Sequence, residues 1–453
     1  MAEAARHDKT ARQLRLLSDA LDSGRLGPVR RLVNTLSPAE IGNLLESLPP
    51  GKREVVWGLV DQEDDGEVLV HVGDEVRESL LADMDPDEII AAVEDLDIDD
   101  LADLVEDLPD TVIDEVLKSM DRENRERLEQ VLSYPEDTAG RLMNPDVVTV
   151  RADVNIDVVL RYLRLRGELP DHTDHLFVVT KRHQYLGRVP LAALVTHEPS
   201  TPVNRLIDDE QPAIDVEEHA NEVARKFSDH DWVSAPVVDD NNILVGRITI
   251  DDVVDIIRDQ AEHRVMGAAG LDEEEDLFSP VWRAMRRRSV WLSVNLCTAF
   301  VASSVVGQFE GTIDKLVALA VLMPIVAGLG GNAGTQVLAL MVRGLALGQV
   351  GASNARTLLW KEVRVALLNG LMLGAVLGTI VLLWFHNPGL SLVIATALTL
   401  NLLLAALAGV LVPLTLKRFG FDPALASGIF LTAITDSMGF FSFLGLATLI
   451  LLR

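Results

Sequence analysis

The chain has 453 residues, enough for two or three domains, with 48% hydrophobic residues and a formal net charge of −29. The charge is split: residues 283–453 hold five acids against twelve Lys or Arg, leaving 64 acids against 28 bases in residues 1–282. The acidic half excludes the basic surface that nucleic-acid binding needs and favours cations as partners, and the single cysteine, Cys297, excludes an internal disulfide or a multi-cysteine metal site.

Residues 1–136 read as helical and acidic. The opening MAEAARHDKT lacks an apolar signal-peptide core, so the acidic half is expected in the cytoplasm. DMDPDEII, DLDIDDLA and DLPDTVID begin at Asp83, Asp95 and Asp107, a period of 12 with a helix start near the fourth position. Aspartate at a helix start caps it and suits its dipole. Short helices stacked into a curved array are expected. Asp99 and Asp103 lie four apart on one helix face and Asp107 follows at the next turn. Three acids on one side repel each other and would welcome a cation.

Residues 137–261 contain an internal repeat. LFVVTKRHQYLGRVPLAALV begins at Leu176 and APVVDDNNILVGRITIDDVV at Ala235; Val179 and Gly187 match Val238 and Gly246 at a constant offset of 59. Each copy reads as strand, polar turn, strand and helix, preceded by an apolar helix, which predicts a pseudo-symmetric α/β pair. Residues 262–288 join the halves through the acidic run DEEED at 272–276 and the basic RAMRRRSVW from Arg283, which resembles an interfacial segment. A helix here would link the repeat to the first span and is a natural place for a gate.

Five apolar stretches follow, at about 289–308, 316–342, 363–385, 390–416 and 424–452, each long enough to span a bilayer. Arg283, Arg286, Arg287 and Arg288 precede the first. Arg343, Arg356, Lys361 and Arg364 lie between the second and third, and Lys417 and Arg418 between the fourth and fifth. Positive charge marks the cytoplasmic side, which puts the C-terminus outside. The second stretch contains MPIVAGLGGNAGTQ, with Pro324, Gly328, Gly330, Gly331 and Gly334. Proline breaks the helical ladder, and the glycines permit close packing or an opened turn. Asn332 and Gln336 share one helix face, so their amide oxygens can face an ion or its water shell. The fifth stretch contains LTAITDSMGFF. Thr432 and Asp436 share a face, Thr435 is adjacent, and Gly439 leaves room beside the carboxylate. An intramembrane carboxylate without a basic partner marks a pathway or a bound cation. Carboxylate, amide and water oxygens suit a hard divalent ion.

The order of parts, with PIVAGLGGNAGTQ and DPALASG…TAITDSMGFF at 422–441 and MNPDVVTV opening the paired repeat at 143–150, resembles the MgtE family of magnesium channels or transporters over nearly the whole chain. The resemblance implies an all-α acidic superhelical N-domain (1–136), an α/β tandem CBS pair (137–261), a connecting helix (262–288) and a five-helix transmembrane domain (289–453). It implies a homodimer with the pore on the two-fold axis, Mg2+ selected by Asp436, and gating by cytoplasmic Mg2+. Asp99 and Asp103 match the family's N-domain sensing acids, and Asp252 and Asp255 those at the end of the second CBS domain. Gly246, Thr249 and Asp252 resemble the nucleotide-contacting stretch of CBS modules, implying ATP as a modulator. Two departures stand out. Gln260, His263 and Arg264 occupy places that are usually acidic in the connecting helix, so cation sensing there is weakened, moved or replaced by direct salt bridges. Gly428-Ile429 stands where Gly-Pro or Asn-Pro is usual. No GxxxxGK[ST] motif indicates a self-powered pump, and no nucleophile, base and oxyanion set indicates an enzyme. Broader divalent transport including Co2+, or a non-conducting membrane-bound CBS sensor, are the competing readings.

Overall fold

The computed structural model describes residues 17, 20, 21, 23 and 26–452, apart from 95, 272–274, 352 and 353. The opening MAEAARHDKT and the first three acids of DEEED lie outside the described residues. The chain divides into two compact units, Met1–Gln260 with Glu274–Ser279, and Ala261–Glu273 with Pro280–Arg453.

The first unit begins with an array of short helices whose starts obey the twelve-residue period well beyond the three segments that announce it. Helix-capping positions fall at Ser37, Pro49, Gly73, Asp85, Asp97, Pro109 and Asp121, with the slot between Pro49 and Gly73 displaced to Asp64. The physical cause is visible at both ends. Ser37 accepts the Glu40 amide at 3.3 Å while Glu40 accepts that of Ser37 at 3.0 Å, and Asp121 accepts the amides of Glu123 and Asn124 at 2.8 and 3.1 Å. Each of these bonds satisfies a donor that the helix itself leaves orphaned. Apolar residues between the caps, among them Ile41, Leu45, Leu69, Leu101 and Leu104, are buried in one core that continues into Phe227, Val237 and Ile248 of the second repeat copy.

The repeat folds as two matching three-stranded sheets. β1 (Thr149–Arg151) pairs parallel with β2 (His175–Val179), which pairs antiparallel with β3 (Tyr185–Pro190); β4 (Ile214–Asp215), β5 (Ser234–Val238) and β6 (Leu244–Thr249) repeat that order. Val178 opposes Gly187 as Val237 opposes Gly246, and the register shifts at the next residue in both copies. The predicted offset of 59 is thus also an offset in register. The copies are stitched at their turns, where the Tyr185 amide donates to Asn242 O at 2.9 Å and the Leu244 amide to His183 O at 3.0 Å.

The division between the units falls inside the connecting helix, Ile250–Ala269. Five helices in the second unit are long and apolar enough to cross a membrane. They are the first span Val281–Gly307, second Ala318–Ala346, third Ala355–Phe385, fourth Pro388–Arg418 and fifth Pro423–Leu451. The first begins earlier than the hydropathy pattern predicts. Arginine is a good helix former, so Arg283 to Arg288 join the helix, which starts immediately after Pro280. The third and fourth have 31 residues each, about 46 Å at helical rise, and overrun a ~30 Å hydrocarbon core. The fourth is the most buried span and the first the least. Leu319, Leu322 and Val326 of the second span pack with Val393, Ile394 and Ala397 of the fourth and Phe443, Leu444 and Ala447 of the fifth.

The second span stays helical through Pro324, so of the two readings, close packing or an opened turn, the structure shows close packing. Proline removes one ladder bond near the start of the helix, and the packing of the fourth and fifth spans holds the rest. Gly330 and Gly334 are buried contact points, whereas Gly328 and Gly331 face open space.

Candidate functional site

Asp436 lies halfway along the fifth span and is half-buried. Among the described residues it has no hydrogen bond and no ion pair. One turn before it, Thr432 is exposed and lines a groove of about 460 Å³ shared with Thr335, Leu338 and Val342 of the second span and Gly428 of the fifth. The Thr432 hydroxyl donates to Gly428 O at 3.0 Å, which leaves its oxygen able to accept from water in the groove. Thr435 behaves differently from the expectation. It is fully buried, and its hydroxyl donates to Thr432 O at 3.2 Å, so it packs rather than lines. Asn332 is exposed, while Gln336 faces a separate cavity toward the third span. The residues read together from the sequence therefore occupy different surfaces of the protomer.

The room that Gly439 leaves is filled. Asn401 of the fourth span is completely buried, and its carboxamide is wedged between Gly330 and Gly439. A methyl at Gly439 would sit 2.8 Å from Asn401 Nδ2, and one at Gly330 would overlap it. Asn401 Nδ2 donates to Val326 O at 2.9 Å, and its Oδ1 has no hydrogen-bond partner among the described residues. This amide bonds the fourth span to the second and packs against the fifth one turn from Asp436. Sequence reasoning passed over it; the signal was a lone Asn inside IATALTLNLLLAALAG.

In the first unit, the helix Ile98–Glu106 and the start of the connecting helix bring acids together. Burial first, then the charge of Asp252, raises Asp99 well above the usual carboxylate range. Burial, with the charges of Asp97 and Asp103, pushes Asp100 up to about 7, and burial, with the charge of Asp251, does the same for Asp252. Asp99 accepts from Asn144 Nδ2 at 3.2 Å. Asp252 accepts the amide and the hydroxyl of Thr249, both at 3.1 Å. Asp103 is exposed, and Asp255 pairs with Arg258 at 3.3 Å. Asp99 and Asp252 are thus neighbours, with Asp100, Asp103 and Asp255 adding negative charge around them. Among the described residues no three acids or histidines are placed to hold a bare metal ion. Two neighbouring carboxylates with raised pKa values repel when both are ionised, which a proton or a nearby cation relieves. Asp100, absent from the sequence-based set, belongs to it. Gly246 is a glycine because Met143 Sδ lies 2.6 Å from where a Cβ would be.

The substituted acids of the connecting helix have partners. Gln260 Nε2 donates to Asn221 Oδ1. His263 Nε2 meets the carboxylate of Asp422, which also caps the fifth span by accepting the Ala424 amide at 2.8 Å. Arg264 lines the groove that holds Thr432. Farther along, Asp276 of the acidic run pairs at 2.7 Å with the buried Arg53, and its amide donates to Glu75 at 3.2 Å. That acid anchors the linker to the helical array.

Comparison with known proteins covers the same three parts. Residues 36–137 match the MgtE intracellular N domain, 139–199 and 203–259 match CBS domains, and 323–446 match the MgtE divalent cation transporter family. The magnesium transporter MgtE of Thermus thermophilus is 31% identical over 443 residues, 96% of this chain and 98% of that protein. Its Bacillus subtilis counterpart is 27% identical over 428 residues, covering 94% and 95%. A solved cytosolic domain of the Mg2+ channel MgtE in complex with ATP is 30% identical, with a TM-score of 0.48, and covers 53% of this chain and 98% of that one.

Proposed function

We propose that this chain, which belongs to the MgtE family of magnesium transporters, carries Mg2+ passively into the cytoplasm through a multi-pass membrane domain governed by its cytoplasmic half. The observation that carries the reading is Asp436, a carboxylate in a membrane span with no ion pair among the described residues of its own protomer. In a homodimer with the fifth spans near the axis, two such carboxylates repel unless a cation lies between them. Thr432 lines the adjoining groove and offers its oxygen to a hydrated ion, and Asn332 supplies an exposed amide. Oxygen donors and retained water fit Mg2+ as cargo. The basic loops support five crossings that begin in the cytoplasm and end with the C-terminus outside.

Regulation is assigned to cytoplasmic Mg2+ at Asp99 and Asp252, supported by Asp103 and Asp255. Their mutual repulsion is relieved by a divalent cation and returns when it leaves. An adenine nucleotide at Gly246, Thr249 and Asp252 would have to compete with the bonds Thr249 already makes to Asp252.

Uptake of Mg2+ into sealed liposomes tests the reading, comparing the unaltered protein with Asp436→Asn at low internal Mg2+. We expect at least a tenfold loss in the variant. Equal uptake by both would overturn the role of Asp436. Co2+ run in parallel decides the broader divalent reading, which the all-oxygen donor set favours over any thiolate-seeking metal.

A further inference from the structure

The third span carries one acid, Glu362, two turns from its basic end. It is 6% exposed. With the exposed Asn369 of its own helix, two turns on, it lines a partly open cavity of about 100 Å³ shared with the exposed Gln336 and with Val337 of the second span and Leu402 of the fourth. Glu362 is held by Lys361, whose Nζ lies 2.8 Å from Oε1, although the lysine side chain is itself 58% exposed. Neighbours in a helix do not face one another. Lys361 reaches around its own turn to neutralise a carboxylate that points elsewhere.

A buried carboxylate, two amide groups and a small cavity are more than packing needs. Glutamine would fill the same volume without a charge to compensate, and burying a carboxylate costs free energy unless it is paired. The cavity has room for about three waters at ~30 Å³ each. Three protein oxygens and about three waters make up the six-coordinate shell of Mg2+, which binds through one or two carboxylates and keeps the rest of its hydration. Sulfur and imidazole are absent from the lining, so softer metals have no preference for it.

We propose that Glu362, Gln336 and Asn369 form a second divalent-cation site, apart from the groove that Thr432 lines and toward the cytoplasmic side, at which the arriving ion displaces the Lys361 ammonium. The inference rests on the transport reading and adds a second station to it. Lys361 is the built-in competitor: it keeps the empty site neutral and sets how readily the ion leaves. Removing it tightens the site, and removing the carboxylate abolishes it.

The test uses the full-length protein and Mg2+ alone as probe. Dicyclohexylcarbodiimide labels carboxyls in apolar surroundings, and peptide mass locates the adduct on Glu362. Mg2+ is expected to slow labelling at least fivefold, both in the unaltered protein and in Asp436→Asn. Lys361→Met should lower the half-protecting Mg2+ concentration at least threefold, and Gln336→Leu or Asn369→Leu should raise it. In uptake, Glu362→Gln should raise the half-saturating Mg2+ at least fivefold; if that variant does not reach the membrane, Asn369→Leu carries the same expectation. Labelling unaffected by Mg2+, or no labelling together with unchanged half-saturation in these variants, overturns the second site. Because protection is read in Asp436→Asn as well, a failure here is distinct from a failure of the pore assignment.

Discussion

A methyl group added at Gly330 would overlap the Asn401 carboxamide, while one added at Gly331, a residue away, would meet nothing within 4 Å. This contrast makes the packing at Asp436 testable one atom at a time. Overpacking of a close contact costs about 1–3 kcal/mol, so Gly330→Ala should lower the thermal midpoint of the detergent-solubilised protein and Gly331→Ala should not. Asn401→Ala removes the obstructing amide, and the double variant Gly330→Ala with Asn401→Ala should recover stability relative to Gly330→Ala alone. Additive losses would show that the wedge is not the cause. The glycines were legible in the sequence as a close-approach motif because four of them crowd a membrane helix. Which of them touch a neighbour was not, since helical phase alone does not say what the neighbouring helix presents. Thr435 illustrates the same limit. Adjacent to Asp436 in sequence, it is turned about 100° around the helix and is buried.

At the scale of elements, periodicity carried the most information and connectivity the least. The twelve-residue repeat and the offset of 59 are patterns of local chemistry, helix starts in one case and strand–turn–strand in the other, and both reappear in the structure, the first with one start displaced to Asp64 and the second with its register intact. Loss of one cap should cost about 1 kcal/mol: Asp121→Ala, which leaves the Glu123 and Asn124 amides without their acceptor, should lower the first unfolding midpoint seen by calorimetry. An unchanged midpoint would mean that this helix start is held by packing alone. The connecting helix was harder to read. Its non-acidic start signalled sensing that is weakened, relocated or replaced by direct salt bridges, and the structure supplies one such pair, His263 with Asp422. This pair joins the connecting helix to the capped end of the fifth span without any metal ion. His263→Ala should therefore leave Mg2+ uptake intact at low cytoplasmic Mg2+ and weaken its inhibition at high cytoplasmic Mg2+. Inhibition of unchanged depth and midpoint would show that the bond plays no part in closure.

For the whole molecule, the decisive asymmetry is a strongly acidic cytoplasmic half joined to a membrane half with few charges. Self-repulsion of that size works against a compact state, and protons or cations relieve it. Asp100 and Asp252 show where. Their pKa values rise from an ordinary 3.8 to about 7 in the folded protein, so between about pH 4 and pH 7 the folded state binds more protons than the unfolded one. The stabilisation these groups gain from protonation is complete below the unfolded value and is lost as pH climbs through about 7. On the proposed regulatory reading, Mg2+ takes over that role where protons leave. The shift in thermal midpoint produced by saturating Mg2+ should therefore be larger at about pH 8 than at about pH 5, by several degrees if the difference amounts to about 1 kcal/mol. In Asp100→Asn with Asp252→Asn the dependence should flatten, with higher stability at about pH 8 in the absence of Mg2+ than the unaltered protein shows, because the repulsion has been removed rather than balanced. An equal Mg2+ shift at both pH values would place the ion's effect elsewhere in the acidic half and detach these carboxylates from regulation.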